Sequence, residues 1–130
     1  MRILFAFAAI ITLLVSCENA EEEVTTVANG FLTSYFQMDY EKAATYCTDE
    51  LAGLMMSAVA SKPELPDELQ ELLTAAAKAT VFTIKEVDTE SVEDQATVIY
   101  DLLLYKAEEA AVKKLTLTKS DGEWKVSDVK

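Results

Sequence analysis

Leu115-Thr116-Leu117-Thr118-Lys119-Ser120-Asp121-Gly122-Glu123-Trp124-Lys125-Val126 is the stretch whose reading decides the fold of this chain. Apolar and polar residues alternate on both sides of Asp121-Gly122, a dipeptide suited to a two-residue turn because both central positions need positive φ. That turn sets a register: Lys119 opposite Trp124, Leu117 opposite Val126 and Leu115 opposite Asp128. Leu115, Leu117, Trp124 and Val126 then share one face, while Thr116, Thr118, Lys125 and Ser127 share the other. One packed side and one wet side is the pattern of an antiparallel sheet.

Upstream the same period continues. Ala96, Val98, Tyr100, Leu102 and Leu104 alternate along one face of a long strand. Thr97, Ile99 and Leu103 on its other face are apolar enough to predict partial burial there. Thr80 to Val87 is rich in β-formers, and Asp88 to Asp94 reads as an acidic turn. Lys106 to Ala110 reads as a loop or a helical turn. The sheet therefore has about four strands.

Before Thr80 the period is helical. Val24, Val27, Ala28, Phe31, Leu32, Tyr35 and Phe36 fall on one face of a helix from about Glu22 to Phe36. Gly30 falls on the other side and weakens that helix by roughly 1 kcal/mol relative to alanine. Asp39 is a candidate N-cap for a short helix through Cys47. Thr48 is a candidate cap for a third helix, with Leu51, Leu54, Met55, Ala58 and Val59 inward. The prolines in Lys62-Pro63-Glu64-Leu65-Pro66 end it. A fourth helix then starts at Pro66, points Leu69, Leu72, Leu73 and Ala76 inward and fades near Thr80.

The amino end is of a different kind. Arg2 is followed by an uncharged run from Ile3 to Val15, shorter than the roughly 20 residues a membrane-crossing helix needs, so a signal peptide over 1–16 is expected. Leu14-Val15-Ser16-Cys17 resembles the lipobox of bacterial lipoprotein precursors. The resemblance implies cleavage between Ser16 and Cys17 and acylation (palmitate and related chains) of Cys17. More than one chain anchors a protein stably to a membrane. Residues 17–23 would form the lipidated cysteine and an acidic tether, and 24–130 the folded domain. Position 18 is not aspartate, which removes the usual inner-membrane retention signal. Attachment to the outer membrane, on its periplasmic side or at the cell surface, is expected. Glu18 and Glu21 to Glu23 resemble a surface-export signal of one diderm lineage, and they equally suit a solvated spacer whose acids favour the start of a helix.

The chain has 11 basic and 23 acidic residues, for a net charge of −12. Residues 18–101 hold 18 acids and four lysines, and residues 102–130 hold five acids and six lysines. No basic cluster exists to neutralise phosphates, so nucleic acid is not an expected partner. Anionic headgroups would be repelled, leaving the lipid as the means of attachment. With Cys17 acylated, Cys47 has no partner within the chain and is expected to be small and buried.

Helices followed by a meander of antiparallel strands make an α+β domain, with the N-terminal helices packed on a curved sheet. Tyr35-Phe36-Gln37-Met38-Asp39-Tyr40-Glu41-Lys42-Ala43-Ala44, Asp94-Gln95-Ala96-Thr97-Val98 and the hairpin quoted above resemble small bacterial lipoproteins with a cystatin-like domain of unknown function. That group lies in the nuclear-transport-factor-two-like superfamily. The resemblance covers residues 22–129 and implies a cone, a curved sheet wrapped over a long helix, often with a pocket at its open end. It implies no activity, because the fold hosts enzymes, binding modules and assembly domains.

The search for chemistry is mostly subtractive. Histidine is absent, and Arg2 is the sole arginine, so the commonest general base, metal ligand and carboxylate clamp are missing. Three glycines build no phosphate loop. By analogy with ketosteroid-isomerase-like members of the superfamily, Asp39 or Asp101 would be a base and Tyr35 or Tyr100 a donor. Asp39 is better read as a cap, and Asp101 points away from the face of Tyr100. Calcium at Glu86-Val87-Asp88-Thr89-Glu90 and Glu93-Asp94 lacks the glycine of an EF-hand bend, and a solvated acidic loop is preferred. No cofactor, no metal and no catalytic residue are expected. Phe31, Tyr35, Phe36, Tyr100 and Trp124 either line a pocket or fill it. An open pocket requires a cavity of about 300 Å³ or more beside Trp124. The expected function is non-enzymatic binding of a small apolar ligand, peptide or protein partner, with a dimerising envelope module as the alternative and an isomerase-like enzyme third.

Overall fold

A computed structural model describes residues 20–60 and 64–130. The expected leader and lipobox, with Leu14, Val15, Ser16 and Cys17, lie outside the described residues, as do Lys62 and Pro63 of the helix break. Among the described residues four helices precede four strands: α1 (residues 20–36), α2 (Tyr40–Ala44), α3 (Asp49–Ala60), α4 (Asp67–Ala79), β1 (Val81–Val92), β2 (Gln95–Leu103), β3 (Ala111–Ser120) and β4 (Glu123–Val129). The strands form one antiparallel sheet in the order β1-β2-β3-β4, the α+β meander that the alternation predicted.

The hairpin turn forms as its residues require, with φ of 54° at Asp121 and 79° at Gly122. Lys119 faces Trp124 and Leu117 faces Val126. The register then departs from expectation: Leu115 faces Val129 and Asp128 faces Thr116. Ser127 is the extra residue of a bulge between those pairs. Its hydroxyl donates to the Thr116 carbonyl at 3.3 Å and accepts from the Thr118 hydroxyl at 2.9 Å, so the local chain has partners for the groups that the ladder loses.

β1 is longer than expected and reaches Val92, turning into β2 through Glu93-Asp94 with φ of 55° at Asp94. The predicted acidic turn is therefore mostly strand. The signal misread there is Asp88, whose carboxylate accepts the backbone N–H groups of Glu90 (3.0 Å) and Ser91 (3.1 Å) inside an irregular stretch of the ladder. β2 ends at Leu103, so Leu104 is not the last inward residue but is exposed. On the outer face Thr97 and Ile99 are half-buried and Leu103 is exposed. Residues 106–110 are loop rather than helix.

The core lies between α1 and the inner face of the sheet. Val24, Ala28, Phe31 and Leu32 meet Val98, Tyr100, Leu102, Leu115, Leu117, Trp124 and Val126, with Ala43 and Cys47 closing one side. Each large apolar side chain buried there contributes about 1.5–3 kcal/mol. Glu21 to Glu23, expected in the tether, are helical and exposed. Asp39 caps α2 as predicted, accepting the Lys42 N–H at 3.2 Å. α2 stops at Ala44, short of Cys47, because residues 46–48 are drawn onto the sheet edge. Val126 donates its N–H to the Tyr46 carbonyl (2.8 Å) and accepts from the Thr48 N–H (2.9 Å).

Two helix faces differ from expectation. α3 rests on the core through half-buried Leu51, Ala52 and Met55, but Leu54 and Ala58 point to solvent. α4 is amphipathic yet buries nothing: Leu69, Leu72 and Leu73 are 46%, 66% and 39% exposed. Periodicity locates an apolar stripe but says nothing of whether a partner surface remains for it, and α1 has already covered the sheet.

Gly30 also departs from expectation. A methyl group there would lie 2.6 Å from both Cε1 and the hydroxyl oxygen of Tyr46. The glycine is thus half-buried beneath a ring rather than idle on a solvent face. Replacing Gly30 with alanine should destabilise the domain by about 1–2 kcal/mol, as overpacking does. In a Tyr46→Ala background the same change should stabilise by up to about 1 kcal/mol, through helix propensity alone. Urea unfolding of the four proteins reads this reversal of sign; an equal effect in both backgrounds means that Tyr46 is not what demands the glycine.

Candidate functional site

The structure divides the aromatic set that the sequence singled out. Phe31 and Tyr100 are completely buried and fill the interior. Tyr35 stacks on Phe31 with centroids 5.4 Å apart and meets Phe36 and Tyr40 edge-on at 5.2 and 5.7 Å. Burial pushes the Tyr100 hydroxyl above its ordinary pKa, and neighbouring Tyr35 adds to this. Trp124 joins none of these rings. Phe31 and Tyr100, expected as candidate pocket lining, are therefore core packing.

Two surface hollows remain next to members of that set. Tyr35 borders an apolar hollow of about 340 Å³ with Tyr40, Met55, Ala58 and Val59. Trp124 borders a cleft of about 620 Å³, walled by Glu22, Glu23, Thr26 and Val27 of α1 and by Gly122, Glu123 and Lys125 of the hairpin. This cleft is a surface hollow on the outside of the core, with a largely charged rim, and not a cavity within the cone.

The indole of Trp124 is the unusual feature of this cleft. The side chain is 6% exposed, and its Nε1–H has no hydrogen-bond partner among the described residues. A buried donor left unpaired costs about 1–3 kcal/mol, so such a group calls for an explanation. Lys119 sits over the ring, its Nζ 5.9 Å from the centroid. Lys125 is held by its own neighbours, donating to the Thr45 carbonyl at 3.2 Å and lying 3.8 Å from Glu123. Sequence reasoning placed Trp124 on the packed face but carried no sign of the orphaned donor. That depends on what α1 presents opposite, which the strand pattern does not encode.

The residues considered for catalysis do not assemble. Asp39 is exposed and its carboxylate is engaged as a cap. Asp101 lies 3.6 Å from Lys85 on the outer face of the sheet, away from the buried Tyr100. Asp88 holds its own turn, and the hydrogen bonds from Ser91 and Glu90 lower its pKa below the ordinary carboxylate value. Among the described residues, no group of three or more acidic or cysteine side chains is placed to hold a metal ion.

Cys47 is buried and unpaired, with its thiol donating to the Ala43 carbonyl at 3.3 Å. Burial pushes its pKa to about 11, against a smaller opposing pull from Lys125. The neutral thiol is thus favoured in the fold. Below the ordinary value near 9 it is neutral folded or unfolded, so pH has no effect through this group there. Between pH 9 and 11 the unfolded chain loses the proton first, and stability falls as pH rises. Burial raises Tyr40 and Tyr100 too, adding to the loss above pH 10. Urea midpoints should therefore decline from pH 9 to 11, and Cys47→Ala should remove the part of the decline that begins at the lower end; an identical profile in the variant would show that the thiol does not contribute.

No curated protein matches the chain. A sequence family does, the one described as low molecular weight antigen MTB12, C-terminal domain, over residues 48–130. That span runs from the cap of α3 through all four strands. More than half of the chain is covered, and the protein belongs to the family of the low molecular weight antigen MTB12 C-terminal domain.

Proposed function

We infer that this is a bacterial lipoprotein, held at the outer membrane by acyl chains on Cys17, whose domain serves a non-enzymatic binding or accessory role. The observation that carries the binding reading is the cleft beside Trp124, open to solvent and bordered by a buried donor without a partner. The anchor reading rests on Leu14-Val15-Ser16-Cys17. Glu22 and Glu23 follow Cys17 by five and six positions, so the cleft they wall would stand close to the lipid surface. No helix among the described residues is long and apolar enough to cross a membrane, which is compatible with attachment by lipid. The cystatin-like, nuclear-transport-factor-two-like kinship suggested by the helix motifs is compatible with the meander over a long helix and adds no activity of its own. The separation of Asp101 from Tyr100 gives the isomerase-like reading no support.

A second reading, a dimerising envelope module, is favoured by one further observation. Leu69, Leu72 and Leu73 of α4 and Val81, Leu103, Leu104, Tyr105 and Val112 at one end of the sheet are all exposed. Monomeric proteins seldom leave so many large apolar side chains open.

The anchor is tested by intact mass and palmitate labelling of the protein isolated from membranes. The expected product starts at Cys17 and carries acyl chains, and Cys17→Ser should move the protein to the soluble fraction. A retained Met1, or an unmodified thiol at Cys17, overturns it. The dimer is tested by light scattering of the Cys17→Ser chain. A mass that rises to twice the monomer with concentration, and that Leu72→Glu and Val112→Glu abolish, supports it; a monomer at every concentration removes it.

A further inference from the structure

We infer that the outer edge of β1 is a docking site for an extended segment of a partner protein, basic at one end, which adds to the sheet as a fifth strand. The site lies on the sheet edge opposite β4, away from the Trp124 cleft, and does not depend on the reading of that cleft.

The chain closes one edge of its sheet and leaves the other open. On β4, residues 46–48 lie against the strand and use both backbone groups of Val126. β1 is the other terminal strand and pairs with β2 alone. Among the described residues, no backbone hydrogen bond reaches its outer side. Such an edge presents a row of donors and acceptors that can template another strand. Bulges and charges guard native edges, and β1 carries both from Lys85 onward. The register shifts between Ile84 and Glu86, and Asp88 holds the N–H groups of Glu90 and Ser91. Val81 to Ile84, ahead of the bulge, has neither guard. It pairs in unbroken register with Leu103 to Tyr100, and all four residues are strand formers.

The side chains state what an added strand must carry. Inward, Phe82 and Ile84 are half-buried at the margin of the core, and an apolar neighbour beside each would complete their cover. Outward, Val81 is 54% exposed next to its pair Leu103, a row that a β-branched residue would extend. Beyond the bulge Glu86, Asp88 and Glu90 are exposed and join no ion pair among the described residues, whereas Lys85 is engaged with Asp101 at 3.6 Å. The edge therefore suits β-branched and apolar residues at one end and cations at the other. In an antiparallel partner the cations come first. Backbone pairing supplies affinity in this mode, and alternate side chains supply selectivity.

A second copy is the poorer occupant. Pairing β1 with β1 about a two-fold axis perpendicular to the sheet reverses the strands of the partner, so the two β3–β4 hairpin ends point in opposite directions. The first turns of α1 lie at that hairpin, and the five positions from Cys17 to Glu22 span no more than about 18 Å. Chains anchored through Cys17 in one membrane hold their hairpin ends together, which opposes this pairing.

The full processed chain, in alkyl-glucoside micelles, is titrated with an end-blocked peptide of sequence Lys-Lys-Val-Thr-Val-Thr and followed by nuclear magnetic resonance. The expected result is a saturable shift of the backbone amides from Val81 to Ile84, with at least tenfold slower hydrogen exchange at those facing outward. Glutamates in place of the peptide's lysines should weaken binding at least fivefold, and Glu86→Gln/Glu90→Gln in the protein at least threefold. Two forms of the peptide, N-methylated at its odd or at its even positions, read the pairing itself. The form that blocks the donors facing β1 should not bind, and the form that blocks the donors facing solvent should still do so. Amides at 81–84 that are indifferent to the peptide, or equal behaviour of the two methylated forms, overturn the proposal. Protection of the same amides that rises with protein concentration and needs no peptide assigns the edge to a second copy and also overturns it. A dimer formed through the exposed leucines leaves these readouts unchanged and is reported by Leu72→Glu.

Discussion

The apolar stripe of α1 lying on the inner face of β2, β3 and β4 is the interaction on which the rest of the molecule depends. A sheet with one packed face needs a cover, and α1 supplies it with Val24, Ala28, Phe31 and Leu32, each fully buried. α3 adds half-buried residues at the margin, and α4 adds no buried residue at all. The close approach of Tyr46 to Gly30 extends the cover sideways. It brings residues 46–48 against β4, where both backbone groups of Val126 find partners. One sheet edge is thereby protected from pairing with another chain, a protection that exposed edges otherwise lack. β1, at the opposite edge, carries only half-buried residues on its inward side. The best-buried part of the molecule is therefore α1 with β2 to β4, and β1 and α4 add no fully buried residue to it.

What was legible in the residues follows from the range of the forces involved. The Asp121-Gly122 turn, the Asp39 cap and the alternation from Ala96 to Leu102 are local devices, and each is found where its residues put it. Element ends and faces depend on distant partners and were legible only in part. Cys47 leaves the helical pattern because Val126, far along the chain, offers it a strand edge. Leu69, Leu72 and Leu73 form a correct helical stripe that meets no core, since the surface it would need is already occupied. Gly30 looked like a weak point in α1 because nothing in its neighbourhood announces Tyr46. The bulge at Ser127 shifts Leu115 from Asp128 to Val129, and its polar signal, Ser127 between Thr116 and Thr118, is legible only once the pairing is known.

The candidate site shows the same division. The sequence identified Trp124 as a packed aromatic, and it is buried, yet the reason the position stands out is a missing hydrogen bond. Phe31 and Tyr100, which carried equal weight as pocket residues, are ordinary core. Aromatic side chains on apolar faces are packing by default, and what distinguishes one of them is a polar atom without an outlet. The charge pattern points to the same place. The acids of the first helical turns favour the helix through its dipole, and they also give the cleft its negative rim.

The family match and the core do not share a boundary. The matched span begins at Thr48 and contains α3, α4 and the whole sheet, whereas the residues that cover that sheet come from α1, ahead of it. Without α1 the inner face would expose Tyr100, Leu115, Leu117, Trp124 and Val126 together, an apolar surface well beyond what a soluble domain leaves open. The span that defines kinship is therefore narrower than the unit that folds, and the cleft lies across the seam between them. Its hairpin wall, from Gly122 to Lys125, falls inside the family span, and its helical wall, from Glu22 to Val27, falls outside it. A relative that kept the hairpin with a different leading helix would keep the buried indole and change the charges set around it. α1 thus sets the charge of the cleft wall, while the sheet supplies the buried indole beside it.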